Sequence, residues 1–384
     1  MNNKKQDLDP SDFKAPDFKP SDFKPPVWLR NPHLQTILPR FIMPESPLYR
    51  RELVLDSLDE SEVAYDFWDG IEVRESEVRE SKIVDKQIRD KEVIVKEVAT
   101  KETKAGSNTN PSDTNSSDRL NTPLVVLFHG MEGSSQSHYA RKLAHYVHDQ
   151  GWHFVVVHTR SCGGVAVKGE RLYSAGDTLE VHHALQQLTA RYTTIYCVGV
   201  SLGGNTLAKY MGEYGDQALC QAAAIFSAPL DLSSAATAME NFLGRKVYTP
   251  YLLNPIATKA LQLTLSEAQI QAIKTSRNIG EFDSVFTAPC YGYRSENDYY
   301  HQASAMPYLH LITKPTLIVI AKDDFFLGVL PSQGDVSKQV SLYTPEYGGH
   351  IGFLRWKNKQ LDATWFPEVS MQFYRAVLSQ LAIF

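Results

Sequence analysis

The stretch Ile195-Tyr-Cys-Val-Gly-Val-Ser201-Leu-Gly-Gly-Asn205 places one serine between a short apolar run and a helical pattern. Its centre, Gly199-Val-Ser201-Leu-Gly203, follows the pattern G-x-S-x-G. In a sharp turn from strand to helix, glycine is favoured two residues before and after the serine because a Cβ atom there would collide with the backbone. We therefore predict that a strand over Ile195–Val200 turns abruptly into a helix and exposes the Ser201 hydroxyl as a candidate nucleophile.

Outward from this turn, short apolar runs alternate with helical patterns. Unbroken apolar runs are typical of strands that are buried on both faces of a parallel sheet. They occupy Leu124–Phe128, Phe154–Val157, Ile195–Val200, Ala222–Phe226 and Thr316–Ile320. Helical periodicity occupies Ser137–Gln150, Asp177–Arg191, Asn205–Tyr214 and Met371–Leu381. The alternation predicts an α/β fold whose mostly parallel central sheet is covered by helices on both faces.

Three segments interrupt or precede this rhythm. Residues 1–26 are rich in Lys, Asp and Pro and carry a degenerate five-residue repeat, which predicts a disordered tail; a docking peptide built on its phenylalanines is the alternative. We predict one domain over 27–384, whose first two strands are Arg51–Leu55 and Val63–Trp68. Residues 70–121 form a charged surface insertion, and 233–313, which lack a core-strand pattern, form a helical lid inserted after the sixth strand.

Composition excludes several classes of protein. The chain has 384 residues, a formal net charge of −5 and 22% charged residues, so it has no basic field that would attract nucleic acid. Its four cysteines show no zinc spacing, and it has neither a secretory signal nor an apolar run long enough for a transmembrane segment. We expect a cytoplasmic protein with no cofactor and no metal.

A serine hydroxyl needs a base that removes its proton. In folds with this turn the base follows both the serine and the acid in the chain, which leaves three histidines as candidates: His301, His310 and His350. His350 lies in the glycine-rich stretch Glu346-Tyr-Gly-Gly-His-Ile-Gly-Phe353, between an apparent strand and the closing helix. Because such loops present catalytic groups, we predict His350 as the base.

The acid that orients this histidine should end the preceding strand. Asp323 and Asp324 follow the apolar run Thr316–Ile320 closely. Adjacent strand residues point to opposite faces, so only one carboxylate can reach His350. We favour Asp324 and keep Asp323 as the alternative acid, with Asp231 a distant third.

Acyl transfer to a serine also needs donors for the oxyanion that forms at the attacked carbonyl. The N–H of Leu202 follows the candidate nucleophile directly. A second donor should come from the loop after an earlier strand, where Phe128-His-Gly-Met131-Glu-Gly133 follows the run Leu124–Phe128. We predict an oxyanion hole made by the N–H groups of Met131 and Leu202.

Taken together, these residues resemble the YheT-like branch of the α/β-hydrolases, which is related to the α/β-hydrolase-domain (ABHD) carboxylesterases and lipases. The matching segments run in the order of the family over about residues 27–384. They are Asn31-Pro-His-Leu-Gln-Thr-Ile, Phe128-His-Gly-Met-Glu-Gly-Ser-Ser, Gly199-Val-Ser-Leu-Gly-Gly-Asn, Glu281-Phe-Asp with Thr287-Ala-Pro, Asp298-Tyr-Tyr, Asp323-Asp324 and Gly348-Gly-His-Ile-Gly-Phe. The chain departs from the family at Phe325, where proline is usual, and at Arg160-Ser-Cys-Gly-Gly.

The resemblance implies an α/β-hydrolase fold, a triad of Ser201, Asp324 and His350, and an acyl-chain pocket under the lid. It also implies hydrolysis of short- to medium-chain carboxylic esters, so the expected partner is a small-molecule ester, lipids included. An acyltransferase or thioesterase with the same triad and a non-catalytic binding protein are the alternatives. The oligomeric state stays open.

Overall fold

The computed structural model describes residues 18–56, 61–70, 121–241 and 243–381. Residues 1–17 of the expected tail and nearly all of the expected insertion 70–121 lie outside these ranges. The predictions for those two segments therefore stay predictions.

One sheet of eight strands carries the fold, in the spatial order β1-β2-β4-β3-β5-β6-β7-β8. Its strands are β1 Arg50–Leu55, β2 Glu62–Trp68, β3 Leu124–Phe128, β4 His153–Val157, β5 Ile195–Val200, β6 Ala222–Phe226, β7 Thr316–Val319 and β8 Val340–Tyr343. β2 pairs antiparallel with both β1 and β4, whereas β3 to β8 pair parallel throughout. The mostly parallel sheet that the apolar runs predict is confirmed. A small separate hairpin joins β9 Arg355–Lys357 to β10 Gln360–Asp362.

Helices cover both faces of this sheet, as the alternating pattern predicts. In chain order they are α1 Pro32–Ile37, α2 His138–Asp149, α3 Thr178–Thr189, α4 Leu202–Tyr214, α5 Leu232–Ala238, α6 Thr249–Ala260, α7 Glu267–Thr275, α8 Ile279–Phe282, α9 Ala288–Cys290, α10 Glu296–Ala303 and α11 Trp365–Leu381. Single-turn helices, some of them π-helical, lie between several of these.

Two apolar layers hold the helices on the sheet. On one face, Val126 of β3 packs in a buried cluster with Leu185 of α3 and Leu207 of α4. On the other, its neighbour Leu127 packs with residues of α2 and with Trp365 of α11. Successive strand residues point to opposite faces, so a strand that is apolar at every position feeds both layers.

The expected lid contains helices joined by turns, and no strand among its described residues. It lies between β6 and β7 and contains α5 to α10, together with the π-helical turns Gly244–Tyr248 and Asp283–Thr287. Aromatic residues such as Phe282 and Phe286 are fully buried in a core that the lid shares with the loop around Cys162. The lid therefore packs as a small layer of its own above the carboxyl ends of the strands.

The last residues of the expected tail pack against the domain instead of being solvated. Phe23 is only 5% exposed, with its ring 5.1 Å from that of Trp365 and 5.5 Å from that of Phe353. Phe18, one repeat earlier, lies 5.4 Å from Phe373. A disordered tail is thus wrong for residues 18–26, because their aromatic side chains pack on the apolar surface of α11.

Among the described helices, none is long and apolar enough to cross a membrane.

Candidate active site

Ser201 occupies a strained turn between β5 and α4. Its backbone has φ 52° and ψ −123°, a conformation that non-glycine residues rarely adopt. A Cβ atom on Gly199 would lie 2.7 Å from the Cα of Gly204, and one on Gly203 would lie 2.4 Å from the carbonyl oxygen of His129. The glycines thus permit the tight crossing that the motif predicts. The helix begins at Leu202, directly after the serine and three residues earlier than its periodicity indicates.

His350 reaches the serine from a loop that we call the histidine loop, residues 344–354 between β8 and β9. Its Nε2 atom lies 2.9 Å from Ser201 Oγ. The side chain of His350 is 13% exposed, so it is largely enclosed yet open to the cavity beside the serine. His301 and His310, the other candidates by chain order, are both solvent-exposed. Of the three histidines, the structure brings only His350 to the serine.

The carboxylate of Asp324 lies on the opposite side of the imidazole. Its Oδ2 atom is 2.9 Å from His350 Nδ1 and its Oδ1 atom is 3.1 Å away. Oδ1 also accepts the backbone N–H of Phe326, and the side chain of Asp324 is fully buried. A buried carboxylate on Nδ1 holds the neutral imidazole as the Nδ1–H tautomer, which leaves Nε2 free to accept the serine proton.

Asp323 points elsewhere. Its Oδ1 atom accepts the backbone N–H of Gly349 at 2.9 Å, one residue before His350. Burial, together with a smaller effect of the nearby charge of Asp324, raises the pKa of the Asp323 carboxyl to about 6. Asp231 caps α5, where it accepts the N–H of Ser234 at 2.7 Å. Asp323 therefore stabilises the backbone of the histidine loop, and Asp231 caps a helix.

The loop after β3 lies directly against the serine. A Cβ atom on Gly130 would stand 3.0 Å from the Cβ of Ser201, a tight contact that glycine avoids. The N–H of Gly130 donates to Tyr139 Oη at 3.0 Å. Within the described ranges, the N–H of Met131 donates to no protein acceptor, and Leu202, as the first residue of α4, has no intrahelical acceptor. Met131 and Leu202 both line the cavity at Ser201.

A buried histidine fixes the shape of this loop. His129 Nδ1 lies 2.7 Å from the carbonyl oxygen of Gly130, and its Nε2 atom accepts the N–H of Thr159 at 3.1 Å. These partners require a proton on Nδ1 and none on Nε2. Burial lowers the pKa of His129 to about 3, with His158 nearby adding to the effect, so the ring stays neutral. His129 is thus a structural residue of the predicted oxyanion loop.

Two cavities meet at Ser201 and His350. The first, of about 100 Å³, runs under the lid, and its lining is mainly apolar. Its walls include Leu232, Ala235, Met239, Leu252, Ile256 and Ile279. The second, of about 530 Å³, opens between the N-terminal segment and the lid, where Thr36, Arg40, His138 and Tyr251 line it. The serine therefore stands where a narrow apolar space joins a wider one that has polar groups.

Two contacts of His350 carried no clear signal in the sequence. The ring of Phe326 lies 4.4 Å from the imidazole. The backbone N–H of His350 donates to the hydroxyl of Thr36, far away in the chain. The motif around Thr36 is visible in the sequence, but nothing in its residue types indicates what it packs against.

Comparison with known proteins places the chain in a family. The family model described as alpha/beta hydrolase fold matches residues 123–355. The chain belongs to the α/β-hydrolase fold family. Within that family, the resemblance to the YheT-like branch is confirmed. YheT of Escherichia coli (strain K12), provisionally named an esterase, is 39% identical over 244 residues, which are 60% of this chain and 71% of YheT.

A relative at lower identity is a phospholipase. Phospholipase ABHD3 of Bos taurus is 28% identical over 266 residues, which are 67% of this chain and 64% of the phospholipase. The chain thus spans roughly two thirds of the length of these two curated relatives. Among solved structures, the esterase Pf2001 of Pyrococcus furiosus is 12% identical with a TM-score of 0.48 and covers 94% of this chain and 99% of its own.

No residues in the described part of the chain form a cluster of three or more His, Cys, Asp and Glu side chains that could hold a metal ion. Cys162, which follows β4, is buried, and its Sγ atom lies 3.5 Å from the ammonium of Lys259. Burial raises the pKa of its thiol, so it is a protonated packing residue and not a second nucleophile.

Proposed function

We propose that this chain hydrolyses carboxylic esters through an acyl-enzyme on Ser201. The observation that carries the proposal is the line of hydrogen bonds from Ser201 Oγ to His350 Nε2 and from His350 Nδ1 to Asp324, each 2.9 Å long at its shortest. A serine, a base and an orienting carboxylate in this geometry make up the arrangement that activates a hydroxyl for acyl transfer.

In the first half of the reaction, Ser201 Oγ attacks the ester carbonyl while His350 Nε2 takes the hydroxyl proton. The tetrahedral oxyanion accepts hydrogen bonds from the N–H groups of Met131 and Leu202. His350 then gives the proton to the leaving alkoxide oxygen as the C–O bond breaks. An alcohol departs, and the acyl group stays on Ser201.

In the second half, a water molecule enters from the wider cavity. His350 takes its proton, the resulting hydroxide attacks the acyl carbon, and the same two N–H groups stabilise the second oxyanion. The Ser201 oxygen leaves with the proton from His350, which regenerates the free enzyme and releases a carboxylic acid. Asp324 keeps its negative charge throughout and stabilises the imidazolium that forms in each half.

We propose that the narrow cavity under the lid binds the acyl part of the substrate, and that this acyl group is short to medium in length. Binding of an acyl chain is stabilised by about 0.8 kcal/mol for each methylene group that the apolar lining removes from water. A space of about 100 Å³ limits how many carbons it can enclose without movement of the lid. The wider cavity is left for the alcohol part of the ester.

Active-site labelling and turnover test the proposal together. The wild-type protein should react with a fluorophosphonate probe and hydrolyse p-nitrophenyl butyrate, whereas Ser201→Ala should do neither and keep the wild-type melting temperature. Ser234→Ala is a matched control, since Ser234 lies on α5 and its hydroxyl hydrogen-bonds the carbonyl of Asp231. Equal labelling of wild type and Ser201→Ala would contradict the proposal.

Acyl transfer is the second candidate, and the size of the wider cavity favours it. A space of about 530 Å³ beside Ser201 can admit an alcohol or a thiol as well as water. The acyl-enzyme would then pass its acyl group to that molecule. Adding graded alcohols to the assay and separating ester from free acid among the products distinguishes the two: a growing ester fraction indicates transfer, and free acid alone indicates hydrolysis.

A further inference from the structure

The short helix α1 is docked on the histidine loop, although the two are more than 300 positions apart in the chain. Asn31 caps the helix by accepting the N–H groups of His33 and Leu34, and Pro32 occupies its first turn. A proline at this position has a backbone angle that suits a helix start, so these two residues specify where a helix of only six residues begins. The start of α1 determines which of its side chains face the loop.

Gln35 ties the helix to the far end of the loop. It is fully buried, and its amide nitrogen donates to the carbonyl oxygens of Leu29 at 2.9 Å and Leu354 at 3.0 Å. Its amide oxygen accepts the N–H of Leu354 at 2.6 Å. One side chain thereby pairs with both backbone groups of Leu354, much as a neighbouring strand would.

Thr36 bonds the catalytic candidate itself. Its hydroxyl donates to the carbonyl oxygen of Pro32 at 2.8 Å, which uses its only proton. The lone pairs of the oxygen are left to accept the backbone N–H of His350 at 3.0 Å. Because the proton of the hydroxyl is committed within the helix, the direction of the lone pair toward His350 is set by α1.

Two glycines of the histidine loop lie where α1 leaves no room for a Cβ atom. A Cβ atom on Gly349 would lie 2.5 Å from the carbonyl oxygen of Pro32, and one on Gly352 would lie 2.0 Å from that of Gln35. The glycines before and after His350 therefore allow the loop to pack closely against α1. The segment around α1 and the glycine-rich segment around His350 fit each other only in this way.

We propose that Thr36 is a positioning residue for His350: the segment 31–37 acts as a clamp that sets the backbone of the histidine loop, and Thr36 fixes the point from which the imidazole projects. The inference rests on the proposed function, in which His350 moves the proton. Removing the hydroxyl deprives the backbone N–H of His350 of this acceptor and lets the loop shift. A displacement of the base of about 1 Å can cost on the order of 100-fold in rate.

The test compares Thr36→Val, which keeps the shape and removes the hydroxyl, with Thr36→Ser, which restores it. In p-nitrophenyl butyrate hydrolysis, Thr36→Val should lower kcat per titrated active site by roughly 10- to 100-fold and leave KM within about twofold. Thr36→Ser should stay within about threefold of wild-type kcat. Thr258→Val is the matched control, because Thr258 makes the same hydroxyl bond to the residue four positions earlier, at 2.8 Å, on exposed lid surface.

A second pair of variants approaches the clamp from the loop. Gly352→Ala should push the loop from Gln35 and lower kcat, whereas Gly334→Ala, whose added carbon would meet no atom nearer than 3.6 Å, should not. The proposal is overturned if Thr36→Val keeps kcat within about twofold of wild type per active site, or if Thr36→Ser loses as much as Thr36→Val. The same assay on wild type and Ser201→Ala reports separately on the proposed function, so failure of one is distinguishable from failure of the other.

Discussion

Asp324 Oδ2 lies 2.9 Å from His350 Nδ1, whereas the carboxylate next to it in the chain, that of Asp323, turns to the backbone N–H of Gly349. The two side chains leave the same turn in different directions. One carboxylate contacts the imidazole, and the other contacts the backbone of the loop that carries it. This division makes the roles of the two aspartates separable by mutation.

Asp324→Asn should lower kcat by roughly 10⁴-fold, because an amide in place of the carboxylate favours the wrong tautomer of the imidazole. Asp323→Asn should have a far smaller effect, since its amide oxygen can still accept the N–H of Gly349. Steady-state kinetics of the two variants against one ester measures the ratio. A larger loss in Asp323→Asn would assign the acid to Asp323 instead.

Ser201→Ala should remove turnover by a factor on the order of 10⁴ to 10⁶. The change deletes one hydroxyl that is partly exposed in a cavity, so the free energy of unfolding should change little. Turnover and thermal unfolding, measured on the same preparation, check both halves of this expectation. A variant that keeps more than a tenth of wild-type kcat would show that Ser201 is not the nucleophile.

The length of the acyl chain should govern kcat/KM. From acetate upward, kcat/KM should rise several-fold for each two carbons, since each buried methylene contributes about 0.8 kcal/mol, and then fall when the chain outgrows the narrow cavity. Acetate to dodecanoate esters of one leaving group give the profile. A maximum at acetate would exclude an apolar acyl pocket and leave the triad untouched.

Narrowing that cavity should move the maximum. Ala235 lines it, so Ala235→Leu should shift the preference to shorter chains, with little change for acetate. Ala238→Leu on the same helix is the control, because Ala238 lies outside the lining. An unchanged profile in Ala235→Leu would mean that the acyl chain binds elsewhere, for instance in the wider cavity.

Stability should depend on pH through Asp283 of the lid. Burial raises the pKa of its carboxyl from 3.8 to about 6, although hydrogen bonds from Thr287 and Tyr300 oppose the shift. A carboxyl whose pKa is raised on folding favours the folded state below its unfolded pKa, and this contribution is lost as the pH rises through 6. The side chain of Asp283→Asn stays neutral at every pH. As the pH rises from 4 to 7, the free energy of unfolding of this variant should therefore increase relative to that of the wild type by up to about 3 kcal/mol. Urea unfolding of both proteins over this range measures the difference, and a constant difference would contradict the assigned pKa.

Much of the fold is legible in the sequence because it depends on local patterns. Unbroken apolar runs predict β3 to β7 closely, since strands that are buried on both faces have no polar position. The turn at Ser201 follows from two glycines at a fixed spacing. The order of groups in the chain leaves three later histidines, and its glycine-rich loop singles out His350 among them. The boundary of the tail was predicted less well, because a repeat that is polar overall gave no sign that Phe23 would find a site on α11.

By itself the sequence determined the candidate nucleophile, the candidate base and the two carboxylates that are the main candidates for the acid. Which carboxylate contacts the imidazole was decided only by the tertiary structure, because both aspartates lie in the turn after β7 and their directions depend on where the histidine loop crosses them. The same holds for Thr36: its residue type shows a hydroxyl on a helix, and only the packing of α1 on that loop gives the hydroxyl His350 as a partner. Local patterns specify elements, whereas contacts between distant segments depend on how those elements pack.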